Sequence, residues 1–238
     1  MKSVAELRIQ IFADGANLGE IANLTTNPLI QGFTTNPTLM RQAGVDDYAG
    51  FAKDMLALVG DRPVSFEVFA DDFDDMQRQA MEIASWGDNV FVKIPITNTK
   101  GEASAPLVER LTGEGVSVNV TAIMTIDQVR DTAAVLDNGV PAVVSVFAGR
   151  IADTGVDPVP VMAECRDILA DNPAAQLLWG SPREVLNVYH AEEAGCDIIT
   201  VTHGLLAKLD AIGKDLGDFS LDTVKMFYND GLAAGYRL

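Results

Sequence analysis

Short runs of apolar residues recur along the whole chain, and the segments between them carry apolar residues at helical spacing. Runs of this length are typical of strands that are covered on both faces in a parallel sheet. The predicted strands lie at 9–14, 32–36, 63–69, 90–95, 116–123, 142–148, 176–180 and 197–202. The helical spacing between them is shown by Tyr48, Phe51, Met55 and Leu58, and again by Val129, Ala133 and Leu136.

Eight strands, each followed by a helical segment, predict the fold class. Without a long polar linker, the pattern favours an α/β fold of one domain over residues 1–238, a closed (β/α)8 TIM barrel. An open doubly wound sheet is the alternative, but eight units of similar length fit closure better. The tail at 220–238 predicts an extra C-terminal helix, which either covers the barrel mouth or docks on a neighbouring subunit. Its apolar face carries Val224, Phe227, Tyr228 and Leu232.

Glycine, proline and serine residues predict where some of the helices begin and end. Pro182 follows Ser181, which predicts a helix that begins at Pro182 with Ser181 as its N-cap. Gly139 and Gly195 each follow a helical segment, so both predict helix ends.

Lys93 interrupts the fourth apolar run and is the first candidate for chemistry. Burying an ammonium without a partner is costly, and a neutral amine is the usual relief. A neutral amine on a rigid strand is a nucleophile suited to attack a ketone and form a Schiff base. The alternative is a lysine at a strand end that extends its amine to water. Pro95 lacks a backbone donor, so a loop should begin just beyond the lysine.

With Lys93 on the fourth strand, polar side chains lie near the ends of six consecutive predicted strands, and those on the other five are further candidates. Active sites of barrels of this kind lie at the carboxyl ends of the strands, where these residues should meet. They are Asp14, Thr35, Asn36, Glu67, Asn119, Thr121, Ser145 and Arg150. Simpler roles remain open: Asp14 as a helix N-cap, Asn36 in an ordinary helix-initiating turn, Glu67 as an ion-pair partner of the lysine. Arg150 could lie on the surface.

Composition and charge exclude several classes of function. The net charge of −17 repels nucleic acid and anionic membranes, so we expect neither as a partner. Two histidines cannot build a three-histidine zinc site, and the scattered acidic residues form no calcium-binding loop. The sequence therefore predicts no metal centre.

The expected compartment is the cytoplasm. No apolar run approaches the roughly 18–20 residues of a membrane helix, and residues 1–12 lack the apolar core of a signal peptide. Cys165 and Cys196 are too few for a disulfide framework, so we expect both to be reduced.

Six motifs occur in order from Ile11 to the C-terminus: GFTTNP, FEV, VKIPIT, VNVTAI, SVFAGRI and FSLDTVKMF. With them the chain resembles the transaldolase family, in particular its short bacterial branch, which includes fructose 6-phosphate aldolases. The resemblance implies a (β/α)8 barrel that uses Lys93 as a Schiff-base lysine without a metal or organic cofactor. It also implies sugar or sugar phosphate substrates and a homo-oligomer linked through the last helix. By motif, the catalytic residues are Lys93, Asp14, Glu67 and Thr121, and the substrate-binding residues are Thr35, Asn36, Asn119, Ser145, Phe147 and Arg150.

Four positions separate the transaldolases of this family from the aldolases. The aldolases carry a glutamine in place of Glu67 and a tyrosine in place of Phe147, and they lack Asn119 and Ser145. A tyrosine phenol near the enamine can deliver the proton that releases dihydroxyacetone, whereas phenylalanine cannot. The resemblance therefore favours transfer over cleavage. An aldolase-type lyase is the alternative, and a barrel that binds sugar without catalysis is a further one.

The seventh strand departs from the family pattern. The family's phosphate pocket takes an arginine from SVFAGRI, here Arg150, and a serine and an arginine from a segment reading approximately ASFR. Aligned on the following proline, these two residues become Leu178 and Gly180. Ser181 or Arg183 could compensate, with amide donors from the predicted helix N-terminus. Alternatively, Trp179 shapes a pocket for a different anionic or an uncharged sugar.

Overall fold

The computed structural model describes residues 3–237, and within them eight parallel strands close into one barrel in sequence order. The strands are β1 (Gln10–Asp14), β2 (Ile30–Thr34), β3 (Val64–Glu67), β4 (Val90–Pro95), β5 (Val118–Ile123), β6 (Ala142–Val146), β7 (Ala175–Trp179) and β8 (Ile198–Thr202). Each strand lies at a predicted position, and β1 pairs with β8 to close the sheet. The predicted barrel is therefore confirmed, and the open sheet is wrong.

Helices lie between successive strands and after the last strand. They are α1 (Leu18–Leu24), α2 (Pro37–Gln42), α3 (Tyr48–Val59), α4 (Phe73–Ala84), α5 (Ala105–Gly113), α6 (Ile126–Ala133), α7 (Ala148–Asp153), α8 (Pro158–Ile168), α9 (Leu186–Glu193), α10 (His203–Leu206) and α11 (Leu216–Ala234). Short 3₁₀ turns lie at Val4–Glu6 and Leu209–Ala211. No helix of residues 3–237 combines the length and apolar character needed to span a bilayer.

Two of the predicted helix boundaries are wrong. Helix α9 begins at Leu186 rather than at Pro182, because Ser181 has a φ of 59° instead of the extended conformation of an N-cap. Gly139 lies well beyond the end of α6 at Ala133, because Leu136 leaves the helix and packs into the core. The end at Gly195 is confirmed: this residue follows α9 with a φ of 76°.

Apolar side chains fill the barrel interior on its amino-terminal side. Phe12, Val143, Leu178 and Ile198 form this cluster, with Phe91 packed against it. The Phe12 ring fits because Gly32 opposite has no side chain; a Cβ there would come within 2.5 Å of the ring. Side chains along a strand alternate between its two faces. The residue two positions after each cluster member therefore also points into the barrel, nearer the carboxyl end of the strand. The cluster thus forms a floor, and the open space lies above it.

Helix α11 is the predicted C-terminal helix, and it begins earlier than expected, after the N-cap Asp215. Its predicted apolar residues are exposed: Val224 by 60%, Phe227 by 65%, Tyr228 by 67% and Leu232 by 63%. None of its residues lines the cavity at the barrel mouth, so the expectation that it covers the mouth is wrong. The helix ends at Ala234, before Gly235 with its φ of 67°, so the predicted extent to residue 238 is wrong for 235–237; residue 238 itself lies outside the described residues.

Candidate active site

A cavity of about 440 Å³ opens at the carboxyl ends of the strands, and all eight strands contribute to it. The strand residues that line it are Asp14, Thr34, Glu67, Lys93, Asn119, Thr121, Ala122, Ser145, Leu178 and Thr200. We call the region around Lys93 the lysine end. A second region, on and just after β6 and β7 and lined by Phe147, Arg150, Leu178, Gly180 and Ser181, is the tail end. Of the predicted site residues, Thr35 and Arg183 do not line this cavity.

Lys93 is buried at the lysine end, with 6% of its surface exposed. Its Nζ lies 3.0 Å from Oε2 of Glu67 and donates a hydrogen bond of 2.8 Å to the Thr35 carbonyl. The alternative in which this lysine extends its amine to water is therefore wrong. The ion pair with Glu67 does exist, and it holds the amine at the lysine end of the cavity. Thr35 contributes its carbonyl only, because its hydroxyl donates to the Ser65 carbonyl at 3.1 Å.

Asp14 belongs to a chain of hydroxyl groups on the neighbouring strands. Thr34 Oγ1 donates to Asp14 Oδ1 at 2.8 Å and lies 2.5 Å from Oγ1 of Thr200. Since the Thr34 proton points to Asp14, the Thr200 hydroxyl is the donor of the second bond. Burial raises the pKa of Asp14, although the charge of Lys93 opposes this shift. Asp14 is not a helix cap, because Asn17 caps α1.

Asn119 is held by hydroxyl groups on β3, two strands away, and on the neighbouring strand β6. Its Nδ2 donates to Ser65 Oγ at 3.0 Å, and Ser145 Oγ donates to its Oδ1 at 2.7 Å. These two bonds fix which way the amide faces. They leave Asn119 with a second N–H to offer within the cavity.

Thr121 presents an unpaired hydroxyl to the cavity. Within residues 3–237 its buried Oγ1 has no hydrogen-bond partner, which is costly for a polar atom. The strand register shifts between Val120 and Ile123, and Ala122 in this bulge has a φ of 62°. Ala122 and Ser181 are the non-glycine residues with positive φ in the described chain, and both line the cavity. Backbone strain of this kind concentrates at functional sites.

Asn36 lines the cavity and also caps α2, since its Oδ1 accepts a hydrogen bond of 3.0 Å from the Leu39 amide. The helix-initiating turn expected as its simpler role is therefore present. Further along α2, Thr38 and Gln42 line the cavity as well.

The tail end has fewer polar contacts. The guanidinium of Arg150 lies over the Phe147 ring, 5.4 Å from its centroid, at the cavity rim. Leu178 is 1% exposed and points inward beside Ser145. Gly180 has no room for a side chain, because a Cβ would lie 2.9 Å from Phe147 Cδ1. Ser181 reaches the cavity.

Three expectations about the seventh strand are wrong. Arg183 is not an anion ligand of the cavity, because its Nε donates to both carboxylate oxygens of Asp153, at 3.0 and 3.1 Å. This hydrogen bonding also holds the pKa of Asp153 below its ordinary value. The helix N-terminus at Pro182 is absent, as described above. Trp179 points outward into the helix-facing core, fully buried and next to His190, so it does not shape the cavity.

Several residues of the site were not assigned a role from the sequence. Among them, Thr34, Ser65 and Thr200 contribute hydroxyls at the lysine end. The two-residue alternation of a strand could have indicated Ser65, which precedes Glu67 by two positions and shares its face. Thr200 follows the floor residue Ile198 by the same interval.

The other potential metal ligands and nucleophiles lie elsewhere. No group of three or more His, Cys, Asp or Glu side chains within residues 3–237 is arranged to hold a metal ion. Cys165 and Cys196 are buried free thiols. Burial raises the pKa of Cys165 to about 11, so this thiol keeps its proton at neutral pH.

Fold and site together define a (β/α)8-barrel protein with a buried lysine–carboxylate centre at the carboxyl ends of its strands. The sequence model of the transaldolase/fructose-6-phosphate aldolase family matches residues 11–233. The chain therefore belongs to this family.

Individual relatives agree with the family assignment. The chain is 33% identical over 202 residues to a probable transaldolase of Dehalococcoides mccartyi, covering 84% of this chain and 90% of that protein. It is 32% identical over 231 residues to a probable transaldolase of Bartonella tribocorum, covering 97% of this chain and 100% of that protein.

Solved structures share the fold at lower identity. KGPDC from Streptococcus mutans has a TM-score of 0.54 at 12% identity, covering 83% of this chain and 88% of that one. A 2,3-dimethylmalate lyase has a TM-score of 0.57 at 11% identity, covering 99% of this chain and 90% of that one.

Proposed function

We propose that this protein is a transaldolase that transfers a dihydroxyacetone unit from a ketose donor to an aldose acceptor through a Schiff base on Lys93. The observation that carries the proposal is the buried amine of Lys93, 3.0 Å from Glu67, in the cavity of a barrel from this family. The relatives described as probable transaldolases support the same activity.

The first step is attack of Lys93 Nζ on the C2 carbonyl of the ketose, which gives a carbinolamine. Glu67 is close enough to take the proton that the ammonium must lose before it attacks. Glu67 and Thr121 then shuttle protons through a water held between them, so that hydroxide leaves and an iminium forms. The unpaired hydroxyl of Thr121 supports this role.

The second step is cleavage of the C3–C4 bond. Asp14 removes the proton of the C4 hydroxyl, and the bonding electrons pass into the cationic iminium as an aldose leaves. A carboxylate with a raised pKa is a stronger base than an exposed one, and burial gives Asp14 this property. The hydrogen bond from Thr34 engages Oδ1 and leaves Oδ2 for the substrate.

The dihydroxyacetone enamine then stays on Lys93 until an acceptor aldehyde binds. Asn36, Asn119 and Ser145 hold its hydroxyl groups, and the two fixed bonds of Asn119 support such an orienting role. Phe147 places no phenol at the cavity, so the enamine has no proton donor there. This favours transfer over the aldolase-type alternative. The convergence of lysine, both carboxylates and Thr121 on one cavity disfavours a barrel without catalysis.

The tail of the sugar is bound by Arg150, which would contact a phosphate or another anion. A second candidate substrate class is a sugar with a non-phosphorylated or differently charged tail. Two observations favour it: Leu178 and Gly180 supply no hydrogen-bonding side chain, and Arg183 is engaged by Asp153 outside the cavity. Comparing kcat/KM for phosphorylated, sulfonated and uncharged ketoses decides between the two classes.

Reduction by borohydride tests the covalent step. Incubation with a ketose donor and borohydride, followed by peptide mass spectrometry, should find a reduced adduct on Lys93. Lys93→Met, which keeps the length of the side chain but not the amine, is the matched control. If no adduct forms under conditions that trap a known transaldolase, the mechanism is wrong.

A second assay separates transfer from cleavage. Donor alone should release free dihydroxyacetone more slowly than donor plus acceptor forms a new ketose. Equal rates would identify the aldolase-type alternative.

We also propose that the protein is a homo-oligomer in which α11 contacts a neighbouring subunit. The exposed apolar residues of this helix support the proposal, because an apolar surface of this size is typical of an interface.

A further inference from the structure

The hydroxyl of Tyr48 occupies a position that a neighbouring strand would normally fill. Tyr48 begins α3, outside the barrel, and its hydroxyl accepts a hydrogen bond of 2.9 Å from the Glu67 amide. The same hydroxyl donates to the Glu67 carbonyl at 2.7 Å. One side chain thus satisfies both backbone groups of the last residue of β3.

The pairing of β2 with β3 explains why these two groups need another partner. The Phe33 amide bonds the Pro63 carbonyl, and the Thr35 amide bonds the Ser65 carbonyl. In a regular parallel ladder, the next donor to the Glu67 carbonyl would be the amide of residue 37. That residue is Pro37, which has no N–H.

The Glu67 amide has also lost its ladder partner. If the β2–β3 ladder continued regularly, this amide would donate to the Thr35 carbonyl. That carbonyl instead accepts the hydrogen bond from Lys93 Nζ at 2.8 Å. The carbonyl is available to the lysine because Tyr48 supplies a different acceptor for the Glu67 amide.

We propose that Tyr48 is a positioning residue for the lysine–carboxylate centre: its hydroxyl anchors Glu67 and thereby leaves the Thr35 carbonyl to Lys93. This inference rests on the proposed function of Lys93 and Glu67. Burial raises the pKa of Tyr48, so its hydroxyl keeps the proton that it donates. Rings of Phe66, Phe69 and Trp86 surround the Tyr48 ring, at centroid distances of 6.4, 5.6 and 5.7 Å, and hold it in place.

Tyr48→Phe keeps the ring and removes only the hydroxyl, so it tests the proposal directly. The freed Glu67 amide should compete with Lys93 for the Thr35 carbonyl. We expect kcat and the rate of borohydride trapping at Lys93 to fall by about 10- to 100-fold, the effect of displacing reacting groups by about 1 Å. KM should change by less than about twofold, because the substrate-binding groups are untouched.

Trp86→Phe is the matched control, since it alters the same aromatic cluster without touching Glu67. Both variants are assayed at a temperature at which circular dichroism shows them folded. If Tyr48→Phe had the same kcat as Trp86→Phe, the proposal would be overturned. The hydroxyl would then have a structural role only.

Two measurements judge the proposal without any sugar. In the wild-type protein the Glu67 amide should resist hydrogen exchange like a central strand amide, and rapid exchange would contradict its bond to Tyr48. A crystal structure of Tyr48→Phe should show the contact between Lys93 Nζ and the Thr35 carbonyl lengthened; an unchanged contact would contradict the inference. If these results agree with the proposal while the wild-type protein forms no adduct with any ketose, the proposed function fails and the anchoring role of Tyr48 stands.

Discussion

At the lysine end of the cavity most polar side chains are fixed by partners on other strands, whereas the tail end is lined by Leu178, Gly180 and one arginine near an aromatic ring. Asn119 has two hydrogen bonds to side chains and Lys93 has two polar contacts. Arg150 at the tail end is exposed and lies over Phe147. The difference teaches that the proposed covalent chemistry would demand fixed geometry, while recognition of a sugar tail would be built from separate residues that can vary independently.

Asp14→Asn should have the largest effect and should act equally on all substrates. Loss of the base is expected to lower kcat by about 10²- to 10⁴-fold, whatever the tail of the sugar. Schiff-base formation at Lys93 should persist, because in the proposed mechanism Asp14 acts only after the iminium has formed. Borohydride trapping and steady-state turnover measure the two steps separately. The contrast between the two ends would be wrong if Asp14→Asn lost borohydride trapping together with turnover. It would also be wrong if the loss of kcat depended on the tail of the sugar.

The same variant makes a prediction about stability. Burial raises the pKa of Asp14 above its ordinary value of 3.8, so the folded state holds this proton more tightly than the unfolded state. Stability of the wild-type protein should therefore fall as the pH rises from that value through the raised pKa of the folded state. Asp14→Asn cannot ionise, so it should lack this decline and have the higher Tm at neutral pH. Thermal unfolding between pH 4 and 8 provides the measurement.

Arg150→Ala should affect only the tail end. A lost charge-assisted hydrogen bond is expected to lower kcat/KM by about 10- to 100-fold for ketoses with an anionic tail. Uncharged ketoses should be unaffected. Arg183→Ala is the control, because its ion pair with Asp153 lies outside the cavity and should change kcat/KM by less than about twofold. Equal losses for charged and uncharged sugars would show that Arg150 also serves the lysine end.

Phe147→Tyr tests whether this residue of the tail end decides the fate of the proposed enamine. A phenol at this position could protonate the enamine, so release of free dihydroxyacetone from donor alone should rise by about tenfold. Phe147→Leu, which removes the ring without adding a phenol, should not raise this rate. Unchanged release in the tyrosine variant would mean that transfer is favoured by something other than the missing proton donor.

Substitutions on α11 should have the smallest effect on chemistry. Phe227→Ser together with Leu232→Ser should lower the mass in solution, because these exposed side chains would form the subunit contact. The kcat/KM of each barrel should stay within about twofold, because α11 does not line the cavity. Asn229→Ser on the same helix is the control. A wild-type protein that is already monomeric would refute the proposed oligomer.

The strands and the lysine end could be predicted because both follow local rules. Alternation along each strand places Lys93 above Phe91 and Ser145 above Val143, so inward side chains can be derived from the sequence. The tail end could not be predicted in this way. Ser181 adopts a positive φ where its carbonyl lies against α7: a Cβ on Gly149 would come within 1.6 Å of that oxygen. Arg183 is engaged by Asp153, thirty positions away. Contacts between segments that are distant in sequence decide the conformation of Ser181 and the partner of Arg183.

Tyr48 is a further residue whose role could be predicted only in part from the sequence. Its spacing with Phe51 and Met55 indicates the buried face of a helix, which is correct for its ring. Its hydroxyl bonds Glu67 because Pro37 ends the β2–β3 ladder, and that follows only from the assembled sheet.

The floor formed by Phe12, Val143, Leu178 and Ile198 leaves the mouth as the route into the cavity. In a transaldolase built on this barrel, the departing aldose and the incoming aldose would share that opening. The first product must therefore escape before the second substrate can enter, which is the order of a ping-pong reaction. Double-reciprocal plots at several acceptor concentrations should then run parallel, and each aldose should compete with the other for the same covalent form of the enzyme.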